Sequence, residues 1–424
     1  MKLLIKGGRV VDPSQGIDKI DDVFVEDGRI ISVGSDSAPS DSEVFDASGL
    51  IVSPGFIDLH VHLREPGHEY KETIASGTAA AVAGGFTAVC AMPNTDPVND
   101  NAATTRFIVE KALQAGLARV YPIGAITRGS AGEELAEMAE MKSAGAVAVS
   151  DDGRPVMNSQ VMRHAMEYAV DHGLTVIDHC QDLQLSAGGV MNEGRYSTLL
   201  GLKGMSAAAE EGHIARDIML SRLTGCHVHI AHISTAGAVK LVRQAKREGL
   251  NVTCEVTPHH LALTDAAVTG FDTNTKMSPP LRSEIDRAAL IEAALDGTID
   301  AIATDHAPHH MDEKMLEYDH APFGVIGLET ALGVALCELY HGGKMKLDQI
   351  IALLSSGPAR SFGLPGGTIS SGAPADITIF DPDAEWTVDP AKFKSKSRNS
   401  PFAGKVLRGK VVATFVGGRN VFGA

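Results

Sequence analysis

The sequence predicts a (β/α)8 barrel carrying a small β-sandwich domain built from both chain ends, and three observations lead to it. Eight short apolar runs alternate with Ala-, Glu- and Leu-rich helical stretches through the middle of the chain, the pattern of repeated βα units and a parallel sheet. Strand-like runs punctuated by Gly, Asp and Pro occupy both ends. His or Asp residues stand just after five of the eight central runs, the end at which such barrels place their chemistry.

Residues 1–53 alternate apolar and polar residues in short runs, among them Leu3-Leu4-Ile5, Arg9-Val10-Val11 and Arg29 to Val33, and read as a small antiparallel β unit. The barrel is assigned to 54–365, with strand runs at 55–63, 86–92, 119–126, 146–150, 174–179, 227–233, 251–257 and 299–304. Helical stretches at 73–83, 104–114, 133–142, 159–171, 207–223 and 236–248 separate them. Residues 366–424 are strand-like again, in four runs that include Ala375 to Phe380 and Val411 to Val416. Neither end can bury an apolar face alone, so the two are expected to pair into one sandwich-like domain. An open doubly wound sheet is the alternative, but it would not gather residues from early and late strands around one point.

A chain of 424 residues with 44% hydrophobic content can bury a sizeable core. The net charge of −16 argues against a nucleic-acid surface, and an anionic substrate would need dedicated local cations or metal. Five dispersed cysteines without paired spacing fit a reducing cytoplasm. No run approaches the roughly 20 apolar residues of a membrane span, and no segment reads as an export or anchoring signal.

The first barrel run ends in His60-Val61-His62, and alternate residues on a strand share a face, so both imidazoles can reach one cation. Asp152, His179, His232 and Asp305 follow later runs. Four imidazoles and two carboxylates exceed what one tetrahedral zinc with an open position uses, and suit two ions. With a bridging carboxylate and a water or hydroxide between the metals, such a site hydrolyses a polarised carbonyl, with Asp305 passing the proton to a leaving nitrogen. Arg64, two residues beyond His62, is expected on the same strand face, where its fork suits a substrate carboxylate.

The run from Pro54 through His60-Val61-His62-Leu63-Arg64 to Gly67 resembles the barrel opening of the amidohydrolase superfamily, specifically its dihydroorotase branch of the long bacterial, type I form. The likeness continues through Met92-Pro93-Asn94-Thr95, Asp151-Asp152-Gly153, Asp178-His179-Cys180, Ala231-His232-Ile233-Ser234, Ser278 to Arg282, Thr304 to His309 and Pro322 to Glu329. It implies reversible cyclisation of N-carbamoyl-L-aspartate to L-dihydroorotate in de novo pyrimidine synthesis, in the cytoplasm, by a homodimer. It also implies two zinc ions per chain, bridged by Asp152 and hydroxide. On that likeness His60 and His62 bind one zinc, His179 and His232 the other, and Asp305 is ligand and base. Arg64, Asn94 and His309 would meet the substrate carboxylate, with His62, Ser278, Phe323 and Gly324 also at the substrate.

Two departures stand out. Many superfamily relatives bridge with a carboxylated lysine, absent around Ser150-Asp151-Asp152-Gly153, where Asp151 competes with Asp152; and Ser278 replaces a common Asn. His227, His229, His259, His260 and Cys180 read as structural, and Asp178 as the orienting partner of a His. The charged stretch 310–323 reads as a lid with few apolar anchors. The rivals are another cyclic amidohydrolase, allantoinase or dihydropyrimidinase, whose members typically carry the lysine, and a non-catalytic scaffold for aspartate transcarbamoylase, which would have lost metal ligands. An active enzyme could form that complex as well.

Overall fold

The computed structural model describes residues 1–34 and 39–423. All eight central runs form strands: Phe56–Val61, Phe86–Ala91, Arg119–Gly124, Ala148–Ser150, Thr175–Asp178, Val228–Ile230, Val252–Val256 and Ala301–Ile302. They pair in parallel, in sequence order. The circle closes where Val61 bridges His306 and His62 N donates to His306 O at 2.8 Å. Asp58 reinforces this seam by accepting from Thr304 N at 3.1 Å. Ile57, Leu59, Ala88, Cys90, Ile123, Ala148, Ile177, Ala231 and Ala303 form one buried cluster, and members drawn from so many strands meet only inside a barrel. A larger cluster fills the layer between strands and helices.

The helices begin where side chains can accept the free N–H groups of a first turn: Thr73 caps Ile74–Ala83, Asn101 caps Ala102–Ala115, Asn158 caps Ser159–Asp171 and Thr235 caps Ala236–Arg247. The stretch 133–142 is the exception. Its helix starts only at Met138, because Leu135 pairs with Thr127 instead.

Both ends meet in one sheet, in the order Arg419–Phe422, Val406–Val416, Ile377–Thr387, Ile51–Pro54, Lys2–Asp12, Ile17–Glu26 and Arg29–Val33. The expected antiparallel unit is mixed, since Glu43–Asp46 and Ile51–Pro54 both run parallel to Lys2–Asp12. The separate terminal runs are also fewer and longer than expected: β-bulges let Lys2–Asp12, Ile377–Thr387 and Val406–Val416 continue through their breaks. A separate core of Leu3, Ile5, Val10, Val23, Val52, Ile377, Ile379 and Phe415 joins the two ends.

This sheet is fastened to the barrel near its first strands. Phe56 lies 5.9 Å from Phe86 and 6.0 Å from Phe380, and Thr378 Oγ1 donates to Gly85 O at 2.6 Å. Gly85, with φ 87°, is required there, because a Cβ would lie 2.7 Å from Thr378 Cγ2. Arg119 makes a bidentate pair with Asp376 at 2.7 and 3.0 Å, and Asp376 also accepts from Gly417 N at 2.7 Å. Among the described residues no helix is long and apolar enough to cross a membrane.

Asp376→Ala removes three charge-assisted bonds from a buried carboxylate and should cost about 2–3 kcal/mol of stability. Chemical denaturation of the purified variant measures this; a midpoint equal to the parent's would show that the pair does not fasten the sheet.

Candidate active site

The side chains singled out in the sequence converge at the C-terminal end of the barrel around Asp152. Its Oδ1 lies 3.4 Å from His60 Nε2, 3.6 Å from His179 Nδ1 and 3.9 Å from His232 Nε2, and its Oδ2 lies 3.6 Å from His62 Nε2. Asp305 Oδ1 stands 3.0 Å from His62 Nε2 and 3.5 Å from His60 Nε2. Asp151 points elsewhere, accepting from Ile126 N at 2.8 Å, from Thr127 N at 3.1 Å and from Thr127 Oγ1.

The outward nitrogens of three imidazoles are held by other side chains. His60 Nδ1 meets Glu255 at 2.8 Å, His62 Nδ1 meets Asn94 at 2.8 Å, and His179 Nε2 meets Gln181 at 2.9 Å. Glu255 also faces His229 at 3.2 Å. Fixing one ring nitrogen sets the tautomer and aims the other, the arrangement found behind metal-bound histidines. Neither Glu255 nor Gln181 was singled out from the sequence. The signal for Glu255 is a carboxylate between Cys254 and Val256, inside the seventh strand run.

Two of the inward atoms lack partners. Among the described residues His60 Nε2 and Asp152 Oδ1 are buried without a hydrogen bond, a state that costs about 1–3 kcal/mol per group and that a cation would relieve. Ligand-capable atoms of His60, His62 and Asp305 lie within 4.8 Å of one another, as do those of His60, Asp152 and His232. His179 Nδ1 is 2.9 Å from His232 Nε2. Burial and the neighbouring imidazoles of His179 and His60 push His232 down to about 3, so it stays neutral with a lone pair to offer. Burial alone would raise the Asp305 carboxyl, but His60 and His62 hold it well below the usual carboxylate range.

A second buried group, Asp178, Cys180, His213 and Asp217, has the composition of a metal site. Arg216 already neutralises it, 2.8 Å from Asp217 and 3.5 Å from Asp178. Asp178 orients His213 at 2.9 Å rather than a histidine of the site, and Cys180 Sγ faces Asp178 and Asp217 at 3.5 and 3.6 Å. His227 is held by Thr175 and Thr253, and His260 by Thr257 and the Pro279 carbonyl.

Above the imidazoles opens a cavity of about 180 Å³ lined by His62, Arg64, Asn94, Asp152, His179, His232, Ser278, Asp305, His309, Phe323 and Gly324. Arg64 does not reach it along a strand face, as alternation implied. The strand is bulged after Asp58 and ends at Val61, and Arg64 turns in through a left-handed φ of 63°. His232 and Asp305 also have positive φ, 31° and 46°, so three pocket residues occupy conformations that non-glycine residues rarely adopt. Arg64 Nε donates to Pro308 O at 3.1 Å, and its Nη2 lies 3.4 Å from His309 Nε2. Burial, with the nearby cations Arg64, Lys71 and Lys314, pushes His309 down to about 3, and its Nε2 donates to Phe323 O at 2.8 Å. Ser278 Oγ donates to Gln181 Oε1 at 3.1 Å.

The stretch 310–323 is better anchored than its composition implied. Met311–Lys314 is helical, Lys314 Nζ is buried and donates to Pro322 O and Gly324 O at 3.0 Å, and the buried Tyr318 donates to Thr275 O at 3.3 Å.

Residues 49–238 match the dihydro-orotase-like family and residues 337–422 the amidohydrolase family. The chain is 59% identical to the dihydroorotase of Pelotomaculum thermopropionicum, covering 99% of this chain and 98% of that one. It is 55% identical to the dihydroorotase of Geobacter metallireducens over the full length of both. Among solved structures, the L-hydantoinase (dihydropyrimidinase) of Arthrobacter aurescens superposes with a TM-score of 0.89 at 26% identity, covering 99% of this chain and 96% of that one. The dihydropyrimidinase of Brevibacillus agri shares the fold, with a TM-score of 0.85 at 24% identity over 100% and 95% of the two chains. Identity above one half along the whole chain goes well beyond a shared barrel: the chain belongs to the dihydroorotase family of the amidohydrolases.

Proposed function

We propose that this chain interconverts N-carbamoyl-L-aspartate and L-dihydroorotate with two zinc ions held around Asp152. The observation that carries the reading is one carboxylate within 3.4–3.9 Å of four imidazoles, its Oδ1 without a hydrogen bond, beneath a cavity whose wall bears the part-buried Arg64 guanidinium. His60 and His62 would hold one ion with Asp305, His179 and His232 the other, and Asp152 would bridge. Bound there, the zinc ions supply a water acidified towards neutral pH and a Lewis acid for the ring carbonyl.

The chain's own residues do the rest. Arg64 receives the ring carboxylate, with Asn94 and His309 on the same wall, and so turns the amide carbonyl towards Asp152. Ser278, Phe323 and Gly324 border the ring. Asp305, kept ionised by its imidazole neighbours, takes a proton from the attacking water at Oδ1 and returns it to the leaving ring nitrogen. Cyclisation runs the same steps backwards. A carboxylate-free ring would leave Arg64 buried without a counter-ion, which favours dihydroorotate over the rings of the dihydropyrimidinases.

Three measurements test this. Elemental analysis should find about two zinc ions per chain in the parent and in Asp151→Asn, and fewer in Asp152→Ala; loss of metal from Asp151→Asn alone would reassign the bridge. Asp305→Ala should lower turnover of dihydroorotate by more than about a thousandfold, since it removes the proton carrier; activity within tenfold of the parent would place the base elsewhere. Arg64→Met should weaken kcat/KM for dihydroorotate by about 2–5 kcal/mol, the cost of leaving a buried charge unpaired. An equal loss on dihydrouracil, which has no carboxylate, would contradict the role of Arg64.

A further inference from the structure

Asn399 lies outside the barrel strands, yet its buried side chain joins both loops that wall the cavity. Its Nδ2 donates to Ala307 O and to Gly324 O, each at 3.1 Å, and its Oδ1 accepts from His309 N at 3.3 Å. Its own carbonyl accepts from Ile326 N at 3.0 Å. The side-chain bonds therefore bracket Pro308, whose carbonyl holds Arg64 Nε, and fix His309, whose Nε2 holds Phe323 O.

Other bonds also join these loops, from His309 Nε2 to Phe323 O at 2.8 Å and from Lys314 Nζ to Pro322 O and Gly324 O at 3.0 Å, but Asn399 is the side chain that reaches Ala307, His309 and Gly324 together. A bridge between His306 and Val325 runs beside them, and the chain passes through left-handed or extended-left conformations at Asp305 and Gly324, with φ of 46° and 127°. Gly324 also has no room for a side chain, since a Cβ there would lie 2.8 Å from Ala307 Cβ. The segment that carries Asn399 is itself pinned. Glu329 accepts from Lys394 N and Ser395 N at 2.9 and 3.1 Å, Glu72 accepts from Lys396 N at 3.0 Å and from Ser395 Oγ, and Ser397 Oγ donates to Lys71 O at 2.8 Å.

We propose that Asn399 is a positioning residue for substrate recognition: it sets Pro308, and through it Arg64, together with His309 and the Gly324 backbone, at the spacing a carboxylated ring requires. The inference rests on the reading that Arg64 receives the substrate carboxylate. Asn399 makes no hydrogen bond to Asp152, Asp305 or the four imidazoles, so its effect belongs in substrate binding rather than in turnover.

The test is a mutant cycle on the zinc-loaded enzyme, with KM and kcat for dihydroorotate, the Kd of orotate by calorimetry and zinc content measured on each variant. Asn399→Leu should raise KM and the orotate Kd by about tenfold while kcat stays within about threefold and zinc content is unchanged. In an Arg64→Met background the same change should raise KM by less than about threefold, because its target is gone. Asn399→Asp has the same shape, keeps the acceptor for His309 N and loses both donors. It should also raise KM, and it carries the test if the leucine variant does not fold. KM values for both variants within twofold of the parent, or a fall in kcat with zinc loss at unchanged KM, would overturn the proposal. Full additivity with Arg64→Met would leave the role of Arg64 standing and overturn the route from Asn399 through it. A parental KM for Arg64→Met would overturn the carboxylate reading itself, and this inference with it.

Discussion

A carboxylate enclosed by four imidazoles cannot be satisfied by those imidazoles alone, and this constraint at Asp152 organises the pocket. With the outward nitrogens of His60, His62 and His179 facing acceptors, a second proton turned inward on each would put three cations in a buried site; without them, lone pairs face one another and the carboxylate. His179 Nδ1 and His232 Nε2, 2.9 Å apart, show how closely the rings are packed. The chain resolves the outward half of the problem with Glu255, Asn94 and Gln181, and leaves the inward half for cations. Each outward partner comes from a different barrel strand or its following loop, so the arrangement needs the closed barrel. It also needs left-handed backbone at His232 and Asp305, a conformation costing about 1–2 kcal/mol per residue outside glycine, which the surrounding packing offsets.

The terminal sheet takes part in this arrangement rather than decorating it. It seals the first two barrel strands through Phe56, Phe86 and Phe380, and pairs Asp376 with Arg119 of the third. Beyond the strand Ile377–Thr387 the chain returns over the open end of the barrel, where Ser395 and Lys396 bind Glu72 and Asn399 binds the loops after the eighth strand. The cavity wall that bears Arg64 is thereby assembled from residues near position 64, near 309 and near 399.

Much of this was legible in the sequence, for physical reasons. Parallel strands buried on both faces read as short apolar runs, and all eight appear where those runs lie. His60, His62, Asp152, His179, His232 and Asp305 stood out because a polar residue directly after such a run must point to water or to chemistry, and the fold does bring them together. What stayed hidden depends on long-range partners or on single backbone angles. Glu255 meets His60 across 195 residues, and Asn399 meets Ala307 across 92. The bulge after Asp58 and the left-handed turn at Arg64 broke the simple alternation that placed Arg64 on a strand face. The parallel strands Glu43–Asp46 and Ile51–Pro54 could not be told from antiparallel ones by composition. Lys314 and Tyr318, read as members of a charged loop, proved to be its buried anchors.

Anomalous diffraction at the zinc edge, on crystals of the zinc-loaded protein, tests most directly whether Asp152 is the bridge of a two-metal centre. Two peaks flanking the Asp152 carboxylate are expected, one beside His60 and His62 and the other beside His179 and His232. A single peak on one side of Asp152, or a peak at the Asp178, Cys180, His213 and Asp217 group with none at Asp152, would contradict it.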